Sequence, residues 1–232
     1  MLSLKDGDLM SIIATVYIPE GICLAAESRL TGTNTYTNGT LNMQDRIIIS
    51  DNSQKLFSIK GGSIGVACCG DATIDNKSFG DFLRQFEIDE INADDNVTLI
   101  ANKLKDYTMS KHGEGVVYHV AGYIDDVPYV YRIVNDIITR LNVNEQGNII
   151  YGCAWNGETE AVTKLVLGDS HMQTNFDLMQ LKDGVDLAEF LVDLTIKYQR
   201  FDIRLATCGG PIDSLVITKD YAKFIKHKIL NP

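Results

Sequence analysis

Residues 10–29, MSIIATVYIPEGICLAAESR, hold two short runs of β-branched and apolar residues, Ile12 to Ile18 and Ile22 to Glu27, on either side of Pro19-Glu20-Gly21. Runs of this kind separated by turn formers predict a β-hairpin. Its first strand opens with a small hydroxyl residue, Ser11, directly behind Met10. The apolar stripes of such a hairpin must be covered, so the order of the elements that follow decides the fold class.

Residues 31 to 46, TGTNTYTNGTLNMQDR, are polar and aperiodic and suit a long loop or an exposed two-stranded excursion around Asn38-Gly39. Lys55 to Ile59 and Ser63 to Cys68 flank Gly61-Gly62 as a second strand pair, closed by Gly70-Asp71. The period then changes. Phe79, Phe82, Leu83 and Phe86, followed by Val97, Ile100, Leu104 and Tyr107, recur at spacings of three and four and predict two amphipathic helices. Val116 to Ile124 and Tyr129 to Val134, broken by Asp125-Asp126-Val127-Pro128, return to strand, and Ile137 to Val143 and Asn148 to Gly152 extend the meander. Glu158 to Leu167 and Val185 to Tyr198 read as helices, and Asp213 to Thr218 and Tyr221 to Ile225 as closing strands. The order is strands, two helices, strands, two helices, strands. Two antiparallel sheets with helices on their outer faces would bury every stripe, an α+β sandwich.

A chain of 232 residues with no Pro-, Gly- or Ser-rich linker is expected to form one domain over 11–232, with 1–10 as an N-terminal extension, a propeptide or the product of a misplaced start. The net charge of -10 and the lack of a Lys/Arg cluster argue against nucleic-acid and membrane-surface partners. No apolar run reaches the length of a membrane span, and MLSLKDGDLM has neither the basic start nor the apolar middle of a signal peptide, so a cytoplasmic location is expected. Cys23, Cys68, Cys69, Cys153 and Cys208 are odd in number and show no CxxC spacing, which suits reduced core or site-lining thiols. His112, His119, His171 and His227 are scattered without ligand spacing, so neither a metal nor a cofactor is expected.

Read in order, GICLAAESR (21–29), KLFSI (55–59), IGVACCGD (64–71), the strand pair over 117–134, DGVDLA (183–188) and CGGPIDSLVIT (208–218) resemble the proteasome family of N-terminal nucleophile hydrolases over nearly the whole chain. Each motif is weak alone; together they are specific for the fold. The resemblance implies a four-layer αββα sandwich, which matches the element order. Counting back from Glu27 with the family's spacing places Ser11 where β-type subunits carry their N-terminal catalytic threonine. A hydroxyl needs a base, and a free α-amine, with an ordinary pKa of about 7.7 to 8, serves near neutral pH. An acylated nitrogen does not, so Ser11 can work this way only once residues 1–10 are gone. Either a propeptide is cleaved, although active members usually carry glycine where this chain has Met10, or translation starts at Met10 and an aminopeptidase removes it. Lys5-Asp6-Gly7 can be encoded by the purine-rich AAGGAYGGN, a ribosome-binding sequence in the right place for that start.

The resemblance also assigns roles. Glu27 and Lys55 match the family's acidic residue and essential lysine: the ammonium favours the deprotonated hydroxyl and the carboxylate keeps it charged and aimed. A weak surface salt bridge is the alternative for that pair. Arg29 matches the arginine that follows and reads as structural. Backbone at Ala67, with Cys68, is the expected oxyanion donor. Leu30, Gly65 and Cys69 are the expected substrate-binding residues, the glycine leaving a roomy pocket. Asn156 and Cys208 stand where the family has serines that orient the amine, and Asp202 where it has an aspartate. The implied activity is hydrolysis of peptide or other amide bonds by a homo-oligomer, a ring being the family's form. Two other readings stand beside it: an inactive scaffold or assembly subunit that keeps its N-terminal segment, and a monomeric small-molecule amidase.

Overall fold

The computed structural model describes residues 10–38, 41–169 and 171–230. Most of the expected N-terminal extension, residues 1–9, and Gly39 of the Asn38-Gly39 turn lie outside the described residues.

Strands β1 (Ile12–Ile18) and β2 (Gly21–Ala26) form the opening hairpin, with Ile18 opposite Gly21 and every residue buried. The polar segment that follows is two-stranded: β3 (Leu30–Asn38) pairs with β4 (Leu41–Ser50) as a sheet of its own. Next come β5 (Leu56–Ile59) and β6 (Ile64–Gly70), then helices α1 (Phe79–Glu90) and α2 (Val97–Lys111). Both helices start where polar side chains cap them: Ser78 Oγ accepts from Asp81 N at 3.1 Å, and Asn96 Oδ1 from Leu99 N at 3.0 Å. Strands β7 (Val116–Ile124), β8 (Val127–Val134) and β9 (Ile137–Arg140) continue the meander. The β7–β8 turn is tighter than the four residues expected, because Asp125 and Asp126 both take left-handed φ (47° and 64°) and close a two-residue turn with Val127 already in the strand.

Strand β10 (Gly152–Gly157) departs from expectation. Asn148 to Gly152 was expected to extend the meander, but only the isolated bridge of Val143 with Ile149 does so. The chain then crosses to the other sheet, where Ile13 faces Asn156 and Ile12 faces Gly157. The free edge of β1 offers six ladder partners, and a local apolar run does not reveal that distant edge. Helices α3 (Glu160–Leu167) and α4 (Leu181–Arg200) and strands β11 (Asp213–Ile217) and β12 (Ala222–Lys226) complete the chain.

The strands form two five-stranded antiparallel sheets, β10-β1-β2-β11-β12 and β5-β6-β7-β8-β9. Alternation assigns their faces. Ile12, Ala14, Val16 and Ile18 pack with Val185, Ala188, Leu191 and Val192 of α4, while Ile13, Tyr17, Leu24 and Leu215 meet Leu56, Val117, Ala121 and Val130 of the second sheet. The second sheet's outer face, including Val66, Tyr118 and Ile133, carries α1 and α2 through Phe82, Phe86, Ile100 and Leu104. The result is a four-layer αββα sandwich. No described helix is long and apolar enough to cross a membrane.

Candidate active site

Five strand ends converge at one rim of the sandwich. Ser11 precedes β1, Glu27 follows β2, Arg29 precedes β3, Lys55 precedes β5, and the Cys208-Gly209-Gly210 turn leads into β11. Strand ends carry backbone N–H and C=O groups that no ladder satisfies, and here those groups surround one ion pair.

Lys55 Nζ donates to Ser11 Oγ at 2.7 Å, to Glu27 Oε1 and to the carbonyl of Arg29. An ammonium has three N–H donors, so all three are used. On the other side, Glu27 Oε2 accepts from Arg29 N at 2.6 Å and Gly209 N at 3.0 Å. Ser11, Lys55 and Glu27 are 3%, 3% and 1% exposed. Burial of two ions is tolerated only when hydrogen bonds replace the water they lose, and that condition is met here. Because Ser11 Oγ is the acceptor toward Lys55, its own proton remains available to a base.

The serine is fixed by backbone as well. Its carbonyl accepts from Glu158 N at 2.6 Å, and Gly157 makes the approach possible: with φ at +107°, a Cβ there would lie 1.9 Å from Ser11 O. Arg29 has two parts. Its main chain holds Lys55 and Glu27, while its guanidinium binds Asp51 at 2.6 and 3.1 Å and the Ala206 carbonyl at 2.9 Å, tying the loops on either side of the site together.

A cavity of about 60 Å³ lies beside the serine, bounded by Met10, Ser11, Lys55 and Arg29, by Leu30 and Thr31 at the start of β3, and by Gly70, Asp71, Ala72 and Phe79 beyond β6. Met10 Sδ accepts from Thr31 Oγ1 at 3.2 Å, so the residue whose removal would free the Ser11 amine also forms part of the wall of this cavity.

The structure corrects several sequence expectations. Gly65 leaves no room for a ligand: a Cβ there would lie within 2.5 to 2.9 Å of side-chain atoms of Ile217, Leu24 and Leu215. Period-two alternation puts Gly65, Ala67 and Cys69 on the face packed between the sheets, and Cys69, fully buried, has its thiol pushed up to about 12 by desolvation. Ala67 lies inside β6, paired with both Leu56 and His119, rather than in an open turn. The Cys68 N–H is taken by the Lys55 carbonyl at 2.9 Å. Alternate N–H groups point to the same strand edge, so the Gly70 N–H points beyond the end of β5 toward the rim, three residues from the expected place. Of the expected substrate-binding residues, Leu30 lines the cavity.

Asp202 is not at the rim. Its carboxylate is bound by Arg204 at 2.9 Å, and it lines a separate cleft of about 190 Å³ with Glu160, Tyr198 and Arg204. Cys208 is buried against α4, its N–H bound by Gln199 at 2.8 Å and its thiol raised by burial, with no hydrogen bond to Ser11. The Asn156 side chain turns inward: its Oδ1 accepts from His119 Nε2 at 2.9 Å, and His119 Nδ1 meets Thr15 Oγ1 at 2.7 Å. His119 is fully buried between the sheets, which lowers its pKa to about 4 and keeps it neutral. Sequence reasoning missed Asp51, Thr31, Asp71, Gly157 and the Gly209 N–H. For two of them a signal existed in the Gly-Gly of CGGP and the Asn-Gly of CAWNGE. Among the described residues, no group of three His, Cys, Asp or Glu is placed to hold a metal.

No protein-family model matches the chain, and no curated protein matches it in sequence. Solved structures do. The Anbu (Gly-1) mutant from Hyphomicrobium sp. strain MC1 is similar with a TM-score of 0.59 and 15% identity over 94% of this chain and 86% of that one. This likeness, with the layers described above, shows a proteasome-like αββα sandwich fold.

Proposed function

We propose that this chain is an amide-bond hydrolase whose nucleophile is Ser11 at the N-terminus of its mature form. The observation that carries this reading is the Lys55 ammonium, buried and held between Ser11 Oγ, Glu27 and the Arg29 carbonyl. Once Met10 is removed, the α-amine of Ser11 takes the hydroxyl proton while Oγ attacks the substrate carbonyl. The Lys55 charge stabilises the oxygen as it loses its proton, and the Gly70 N–H faces the developing oxyanion. Collapse of the tetrahedral intermediate breaks the C–N bond, the α-ammonium returns its proton to the leaving amine, and an ester on Ser11 remains. Water, deprotonated by the same amine, then hydrolyses the ester. Residues at the rim are fixed before substrate arrives, which suits catalysis by preorganised charge.

The resemblance to the proteasome family implies an assembly, and a homo-oligomer is the form proposed here, to be measured by size-exclusion chromatography with light scattering. A chain that keeps Met10 has an acylated Ser11 nitrogen, and it would act as a scaffold. The experiment that separates the two readings is treatment of the chain beginning at Ser11 with a peptide epoxyketone, which needs both the hydroxyl and the free amine. Covalent mass on Ser11 that disappears in Ser11→Ala is expected; no adduct on a chain whose N-terminus is verified as Ser11 refutes the enzyme reading.

A further inference from the structure

Among the described residues, two ion pairs are buried on both sides: Lys55 with Glu27, at 3% and 0% side-chain exposure, and Lys228 with Asp213, at 4% and 1%. They are neighbours. Asp213 opens β11 opposite Ala26, the residue before Glu27. The proposed chemistry uses the first pair and gives the second no role.

Both oxygens of Asp213 are bound by one residue: Oδ1 accepts from the Lys228 N–H at 2.8 Å and Oδ2 from its ammonium. A bulge helps to bring Lys228 there. Leu215 faces Phe224 but Ser214 faces Lys226, so Ile225 is an extra residue on β12 and sets Lys228 one position nearer to Asp213 than a regular ladder would. His227 Nδ1 accepts from the N–H groups of Ile229 and Leu230, both at 3.2 Å, and closes the turn behind Lys228. The loop that runs into Asp213 serves the rim. Its Gly209 N–H donates to Glu27 Oε2 at 3.0 Å, its Gly209 carbonyl accepts from Ser28 N at 3.0 Å, and its Pro211 carbonyl accepts from Ser28 Oγ at 2.7 Å. A buried ion pair is a poor source of net stability, since apolar side chains of the same volume often serve as well; what charge-assisted hydrogen bonds add is a fixed position and direction.

Resting on the reading of Ser11 as nucleophile, we infer that Lys228 is a positioning residue: by holding Asp213 it fixes the 208–212 loop at its β11 end, so that the Gly209 N–H stays on Glu27 and Glu27 keeps the Lys55 ammonium aimed at Ser11 Oγ. Residues 227–230 form a strap across the end of β11. Neither the strap nor the loop borders the cavity beside Ser11, so its loss slows the reaction without weakening binding there.

The test has two arms, and the first needs no activity. Hydrogen exchange of the full chain, read by mass spectrometry, should be about tenfold or more faster in the 208–212 loop of Lys228→Met, while β7 keeps its protection. Lys228→Arg, which keeps the cation, should recover at least part of it. The second arm follows labelling of the chain beginning at Ser11 by the peptide epoxyketone over a range of concentrations. In Lys228→Met the maximal labelling rate should fall about tenfold, the worth of one hydrogen bond to a charged group, with the half-saturating concentration and the final extent unchanged. A merely structural role would lower the final extent and leave the rate per folded molecule as it was, and that result overturns the inference. Unchanged loop exchange in Lys228→Met overturns it too. If that variant does not fold, the unsubstituted chain decides: strap and loop should exchange at matched rates, and a strap that exchanges more than about tenfold faster than the loop overturns the inference. No labelling of the unsubstituted chain defeats the nucleophile and the catalytic role of Lys228 with it, while the exchange arm still decides whether the strap holds the loop.

Discussion

Ser11, Lys55 and Glu27 meet at the ends of their strands, whereas Thr15, His119 and Asn156 meet within theirs. Both groups are polar assemblies drawn from β1 or the residue just before it, and one holds an ion pair while the other stays neutral. At the rim, unladdered backbone supplies Glu27 with two N–H donors and Lys55 with a carbonyl, so an ion pair persists without water. Inside the sheets the backbones of β1 and β7 have ladder partners on both sides, and the polar side chains there pair with one another. His119 stays neutral, one nitrogen accepting from Thr15 and the other donating to Asn156, with Arg132 directly across on β8 discouraging a proton. The difference shows where this fold can store charge: at strand ends, where chemistry can also reach it.

The comparison breaks most visibly if the rim pair is cut. Lys55→Met leaves the Glu27 carboxylate buried beside two N–H groups with no cation, and a loss of about 3 to 5 kcal/mol is expected in urea unfolding, together with loss of epoxyketone labelling. A loss below about 1 kcal/mol would mean the pair is an ordinary surface salt bridge.

The interior assembly is tested by acid. His119 has a folded pKa of about 4 against an ordinary value of 6.5. Between those values the unfolded chain binds a proton that the folded chain refuses, so this contribution is intact above about pH 6.5 and is lost as pH falls toward 4. The expected loss is on the order of 3 kcal/mol. His119→Gln keeps a donor and an acceptor but cannot titrate, and its stability should depend less on pH over that window; an unchanged slope would place the titration elsewhere.

The smallest effect sharpens the contrast from outside. Asp193 and Lys197 form an exposed pair one turn apart on α4. Asp193→Asn is expected to shift Tm by about 1 °C, and a shift near that of Lys55→Met would remove the distinction between rim and surface pairs.

Much of this was legible in the sequence. Uninterrupted apolar runs such as ICLAA and the helical stripes of Phe79 to Phe86 specify elements by local period, and their order leaves few ways to bury every stripe. Ser11, Glu27 and Lys55 could be singled out because the motifs around them resemble those of the proteasome family and share its spacing. The structure places them together. Gly65 and Ala67 misled because a small residue in a strand says nothing about which face is already full; Ile217, Leu24 and Leu215, distant in sequence, fill it. Asp202 misled because the loop after α4 has no period to count, and its carboxylate found Arg204 instead.

By itself, the chain's sequence determined the sandwich of two antiparallel sheets between helices, which follows from local periodicity, and the resemblance carried by GICLAAESR and KLFSI singled out Glu27 and Lys55. Only the tertiary structure decided which backbone groups surround that pair and that Asn156 turns to His119. Those outcomes depend on which segments meet in space, and a one-residue shift in a strand exchanges its two faces while leaving the sequence pattern almost unchanged.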